Sequence, residues 1–184
     1  MKLSAAEYNR MIVESDEAPL TEEGRAQIEA LVEHFRGRSL SAIHASPLLR
    51  AQQTAAILAE PLGLPVTTME GFREMVASRV VTHIRPYRRR SLKYWFIRSM
   101  IRQFMPYSTV CETAWNGRHR VRRAWRDLLA WQPSAGHNPQ ATERLVVSHR
   151  GTAMLLRSVL RHRSEWRIKR WSIANGGITE IVQV

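Results

Sequence analysis

"SPLLRAQQTAAIL", residues 46–58, decides how this chain is read. Pro47 stands just inside a predicted helix start, and the small and apolar residues after it carry the helix to about Glu60. Arg50 lies in the first turn. The helix dipole already places partial positive charge there, so a cation is disfavoured unless an anion sits in front of it. Arg50 is therefore either solvated or helps to hold an anion. The stretch before it, "LSAIHAS" (40–46), is a short apolar run that predicts a buried strand, and "LPVTTME" (64–70) predicts a second.

The same strand–turn–helix order recurs in "RLVVSHRGTAML", residues 144–155. A β-branched run ends at Ser148, His149 follows, and a helix begins at about Gly151. Ligands of open α/β sheets bind at the carboxyl ends of the strands, which is where His149 falls. Two helix N-termini, Arg50 and His149 can then converge on one anion. Taken residue by residue, a structural histidine and a solvated arginine are the alternatives.

The flanking sequence completes an α/β pattern. "PLTEEGRAQIEALVEHFRG" (19–37) predicts a helix capped by Thr21, with Glu22 and Glu23 in its first turn and Gly37 as its stop. Ala26, Leu31 and Phe35 lie on or near its apolar face. "WSIANGGITEIVQV" (171–184) reads as strand, Asn-Gly-Gly turn, strand. Strands alternating with helices indicate a layered α/β domain.

The totals narrow the function classes. A chain of 184 residues with 44% hydrophobic residues suits one folded domain. The single cysteine, Cys111, excludes an intramolecular disulfide and a multi-cysteine metal site, and it reads as a small buried hydrophobe. No run approaches the roughly 20 apolar residues of a membrane span, and the N-terminus has no signal-like apolar stretch, so a cytoplasmic location is expected. The net charge is +12, and residues 79–126 carry the whole excess: twelve arginines and Lys93 against one acid, Glu112. Such a patch attracts phosphates, nucleic acid or an anionic membrane.

Within that region "SLKYWFIRSMIRQFMP" (91–106) and "ETAWNGRHRVRRAWRDLLAWQ" (112–132) predict helices, and "PSAGHNPQATE" (133–143) a loop. Leu92, Phe96, Met100 and Phe104 share a broad apolar arc roughly opposite Arg98 and Arg102. Trp115, Trp125 and Trp131 recur near helical spacing and are expected to pack the core and this helical region. Three roles fit the segment: a helix packed as a lid, an interfacial helix on anionic lipid using Trp95 and Phe96, or a nucleic-acid surface stacking bases on Tyr94, Trp95 and Tyr107. The packed lid is preferred, because the apolar arc is expected to be used in packing.

"PLTEEGRAQ", "IHASPLLRAQQTAAILAEPLGLPV", "FRE" and "LVVSHRG", in this order, resemble the histidine phosphatase superfamily, which includes cofactor-dependent phosphoglycerate mutases. The resemblance is close over residues 19–76, adequate over 143–184 and loose between them. It implies a three-layer α/β/α sandwich forming a single domain over residues 1–184, with 77–131 a helical, basic, lid-like insertion. It also implies phosphoryl transfer through a phosphohistidine, with no cofactor and no metal. One histidine attacks phosphorus, arginines and a second histidine neutralise the equatorial oxygens, and an acid protonates the leaving oxygen. Arg50 matches the second arginine, His149 the second histidine and Glu74 the acid; Asn9 matches a position near the substrate phosphate. The implied partner is a small phosphorylated substrate or a phosphoprotein, with membrane and nucleic acid disfavoured. Hydrolysis is favoured over mutase chemistry, and sugar phosphate, phosphoprotein and nucleotide stay open as substrates.

The chain departs from the family pattern at one point and in one detail. Arg150 stands where the family usually has glycine. The family's opening strand ends in Arg-His-Gly or Arg-His-Ala, whose histidine is the nucleophile, and neither motif occurs in this sequence. The first histidine is His34, inside a predicted helix, whereas "EYNR" (7–10) resembles family sequence lying soon after the motif. Three origins fit: a start codon assigned too late, a degenerate phosphatase that still binds phosphate, or an inactive relic. The chain as it stands is expected to be inactive.

Overall fold

A computed structural model describes residues 1–75, 89–103, 111–132, 142–172 and 174–184. Their order is β1 (Lys2–Leu3), α1 (Ala5–Glu17), α2 (Glu22–Phe35), β2 (Leu40–Ala45), α3 (Leu49–Leu62), β3 (Val66–Thr68), β4 (Arg90–Ser91), α4 (Leu92–Gln103), α5 (Ala114–Ala130), β5 (Glu143–Val147), α6 (Arg150–Leu160), β6 (Trp166–Arg170) and β7 (Glu180–Gln183). A short 3₁₀ turn spans Glu70–Phe72. The chain forms two compact units. One holds Met1–Ala18 and Met75–His119, the other Pro19–Glu74 and Arg120–Val184.

The larger unit is built on a parallel sheet in the order β3-β2-β5. The pairing sets Ile43 opposite Val66 and Leu145, and Ala45 opposite Thr68 and Val147. Alternation along β2 sends Ile43 and Ala45 to one face, where they pack with Ile28, Val32 and Phe35 of α2 and Ala55 and Leu58 of α3. The opposite face takes His44, whose ring meets the edge of Trp131 at the end of α5. Val146 joins Phe72, Ala124 and Leu128 on that side. Helices thus cover both faces, as the α/β/α expectation requires. β5 pairs with β2 along one edge, and among the described residues no strand pairs with its other edge. β6 and β7 form a separate antiparallel hairpin. Arg38 joins hairpin and sheet, bonding Glu143 at 2.7 Å and Glu180 at 3.0 Å.

Local signals account for most element ends. Thr21 Oγ1 accepts from Gly24 N–H at the start of α2, and Gly37 takes the left-handed conformation just past its end. Two boundaries differ from the sequence reading. α3 starts at Leu49, so Pro47 lies before the helix and not inside it. The first hairpin strand is Trp166–Arg170, ahead of the stretch from Trp171 that the Asn-Gly-Gly turn suggested, and it pairs with β7 from Trp166 opposite Gln183 to Arg170 opposite Glu180.

The smaller unit contains α1, begun by a reciprocal Ser4–Glu7 capping box. β1 and β4 pair antiparallel. Trp95 of α4 stacks on Tyr8 of α1, its ring centre 6.2 Å away, and donates its indole N–H to Leu3 O at 2.8 Å. Ala5, Leu3, Met11, Ile12 and Leu92 complete this cluster. The expected arc of α4 therefore divides. Leu92 packs inward beside Trp95, whereas Phe96 and Met100 are exposed. Trp95, not Phe96, anchors the helix. Phe104 and Tyr107 lie outside the described residues, as does most of the 133–143 loop. Trp115 is also exposed, contrary to the packing role expected for it, whereas Trp125 meets Trp166 and Trp131 meets His44. Cys111 is half-buried, short of the buried position expected for it.

Candidate functional site

β2 and β5 run parallel, with Ala45 opposite Val147, so both strands end at the same level. The chain leaves β2 through Ser46 and enters α3, which puts Arg50 in that helix's first turn. It leaves β5 through Ser148 and His149 and enters α6 at Arg150. Neither helix carries a side-chain cap at its N-cap residue, Leu48 or His149. Two positive helix ends thus open beside one another at the carboxyl end of the sheet.

His149 is tied to the first turn across 103 residues of sequence, its Nε2 lying 2.7 Å from Ser46 Oγ. That hydroxyl is fully buried and also accepts from Leu48 N–H at 3.3 Å. Burial first, and then the charge of Arg50, lowers the His149 pKa to about 4. His149 is therefore a neutral imidazole at pH 7, and Arg50 is close enough for its charge to be felt there. Glu74 belongs to the same place: its Oε2 accepts from Gly151 N–H at 3.3 Å, in the first turn of α6. The approach is so close that a Cβ on Gly151 would stand 2.4 Å from Glu74 Oε1. A side chain at 151 would displace the carboxylate from this position.

Several residues outside the sequence reading hold this arrangement. Ser148 Oγ donates to Phe72 O at 2.8 Å, and Thr152 Oγ1 to Arg73 O at 2.6 Å, so the start of α6 grips the segment carrying Glu74. Arg120 donates to Gly71 O at 2.7 Å and Arg73 O at 3.0 Å from the other side. In the sequence it is one of the twelve arginines of residues 79–126. Gln52 donates to Ser46 O, Gln53 accepts from Leu20 N–H and Thr54 donates to Arg50 O, which accounts for "QQT" as scaffolding of the turn. Ser46 lay inside the motif, but only the fold reveals its partner. Asn9 sits half-buried on α1, in the smaller unit. Among the described residues no group of three or more His, Cys, Asp or Glu side chains is placed to hold a metal ion. No helix among them is long and apolar enough to cross a membrane.

An arginine, a neutral imidazole and two helix N-termini at one sheet end suit an oxyanion, with the Glu74 carboxyl group beside them. A sequence model of the histidine phosphatase superfamily (branch 1) matches residues 4–183. The chain belongs to that superfamily.

Solved structures agree on the fold. A mycobacterial glucosyl-3-phosphoglycerate phosphatase is 24% identical, with a TM-score of 0.59 over 78% of this chain and 68% of its own. A protein named mycobacterial hydrolase 2 is 26% identical, with a TM-score of 0.59 over 78% of this chain and 62% of its own. An Escherichia coli protein provisionally assigned as an alpha-ribazole-5'-P phosphatase is 26% identical, with a TM-score of 0.57 over 79% of this chain and 68% of its own. No curated protein matches the chain. For this superfamily member the similarity supports a phosphatase-like function.

Proposed function

We propose that Arg50, His149 and the N-termini of α3 and α6 bind the phosphoryl group of a phosphate monoester, and that Glu74 faces the ester oxygen. The observation that carries this reading is the meeting of the two strand–turn–helix units: His149 bonded to Ser46 at the end of β2, with the Arg50 charge acting on the imidazole. Arg50 offers a two-pronged donor to the equatorial oxygens. His149, neutral when the site is empty, takes up a proton once a dianion replaces water beside it, so binding strengthens as pH falls toward the phosphate second pKa of about 6. Glu74 is suited to give a proton to the leaving oxygen. A small phosphorylated metabolite and a phosphoprotein both present this group.

Hydrolysis by the superfamily's route needs the nucleophilic histidine of the Arg-His-Gly motif, which the 184 residues do not contain. The reading is therefore a phosphate-monoester site whose turnover depends on that group, and the chain by itself binds without turning over.

Thermal unfolding with and without phosphate or vanadate tests the site. Saturating anion at 100 times its Kd should stabilise by about 2.7 kcal/mol, which raises Tm by several degrees. Arg50→Ala and His149→Ala should each abolish the shift. A Tm that phosphate leaves unchanged in the folded wild type would refute the site. Brisk hydrolysis of a generic monoester by the chain, lost in His149→Ala, would show that another group attacks phosphorus.

A further inference from the structure

α4 has two apolar faces. Leu92 and Trp95 turn inward onto α1. The opposite face carries Tyr94, Phe96, Ile97, Met100 and Ile101, all exposed, with Phe96 at 60% and Ile101 at 59% of full accessibility. A surface helix of a globular protein ordinarily turns charged residues to water on that side. Here Tyr94, Ile97, Arg98 and Ile101 instead line a depression of about 480 Å³. Basic groups frame the apolar patch. Lys93 falls among its residues on the helix and is exposed, Arg98 borders it, and the Arg90 guanidinium lies 5.3 Å above the Tyr94 ring.

We propose that this face of α4 is a docking surface for an anionic lipid membrane, with Phe96, Ile97, Met100 and Ile101 entering the interface and Lys93, Arg90 and Arg98 meeting the headgroups. Three observations choose this occupant. Ile97, Met100 and Ile101 have no flat face on which a base stacks, and Trp95, the largest aromatic of the helix, is buried. The cations lie on the same face as the apolar residues, so a second copy would bring like charges together. The sequence from residue 79 to 126 carries all of the chain's excess positive charge, which complements a surface of acidic headgroups. Packing does not consume the apolar arc of α4, because Phe96 and Met100 remain exposed.

Co-sedimentation of the full chain with vesicles tests this, using phosphatidylcholine alone and phosphatidylcholine mixed with phosphatidylglycerol. Retention on the mixed vesicles should exceed that on the neutral ones by about tenfold and weaken as salt is added. The double variant Phe96→Gln/Ile101→Gln should lose about tenfold or more of the partition at low salt. Lys93→Gln/Arg98→Gln should lose a similar factor together with most of the salt dependence. All four residues are exposed, so unchanged circular dichroism is expected and confirms that the fold is intact. Retention that Phe96→Gln/Ile101→Gln leaves intact overturns the proposal. So does a dimer in sedimentation equilibrium that this variant disperses while vesicles fail to retain the wild type. Binding to a single-stranded oligonucleotide with no vesicle retention also overturns it.

Discussion

His44 is a fully buried imidazole whose ring nitrogens have no hydrogen-bond partner among the described residues, packed at right angles to the Trp131 ring. Burial, and after it the charge of Arg144, lowers its pKa from 6.5 to about 4. The unfolded chain therefore binds a proton below about 6.5 that the folded chain refuses until about 4. Stability is full above the upper value, falls through the window between the two and levels off below the lower, as far as this group is concerned. The limiting slope is about 1.4 kcal/mol per pH unit, and at about pH 5 the accumulated loss from His44 alone is about 2 kcal/mol. His44→Phe keeps the ring edge against Trp131 and removes the titration. Urea midpoints measured from about pH 8 to about pH 5 should show wild type losing stability faster than the variant, the gap widening by about 2 kcal/mol. His149 titrates in the same direction in both proteins, so the difference isolates His44. Any cost of fitting the slightly larger phenyl ring is constant with pH and leaves the slope untouched. Parallel lines for the two proteins would show that the unfolded and folded states hold His44 equally protonated, and the account of an imidazole kept neutral by burial would fall.

Ser46→Ala leaves Leu48 N–H and His149 Nε2 without their shared partner, so it should cost about 1–3 kcal/mol by urea unfolding and shrink the phosphate-induced Tm shift; a neutral variant would mean the hydroxyl does not hold the imidazole. In Gly151→Ala the new methyl meets only the mobile end of Glu74, so stability should change by less than about 1 kcal/mol while the carboxylate is displaced. A double-mutant cycle with Glu74→Gln reads that displacement: the Glu74 substitution should be costly with glycine at 151 and nearly silent with alanine, and equal costs in both backgrounds would deny the contact.

The sequence by itself determined the two strand–turn–helix units and the residues at their tips. Local physics suffices for these and for α2: short apolar runs for buried strands, Thr21 as the cap of α2, and Gly37 where a left-handed residue ends it. Arg50 in an electrostatically poor position was legible as a question from its place in the first turn alone. What answers it is non-local. The Ser46–His149 bond joins residues 103 apart, and the group that a side chain at 151 would displace is a carboxylate 77 positions earlier. Arg120 was invisible among the arginines because its role lies in the carbonyls it reaches, not in its own surroundings in sequence. The division of α4 was decided the same way. Helical periodicity groups apolar residues into an arc, but which part of that arc is buried depends on where Tyr8 and Leu3 present a surface for Trp95. Periodicity gives the faces of a helix; only the packed neighbour decides which of two apolar faces is satisfied and which is left to meet something else.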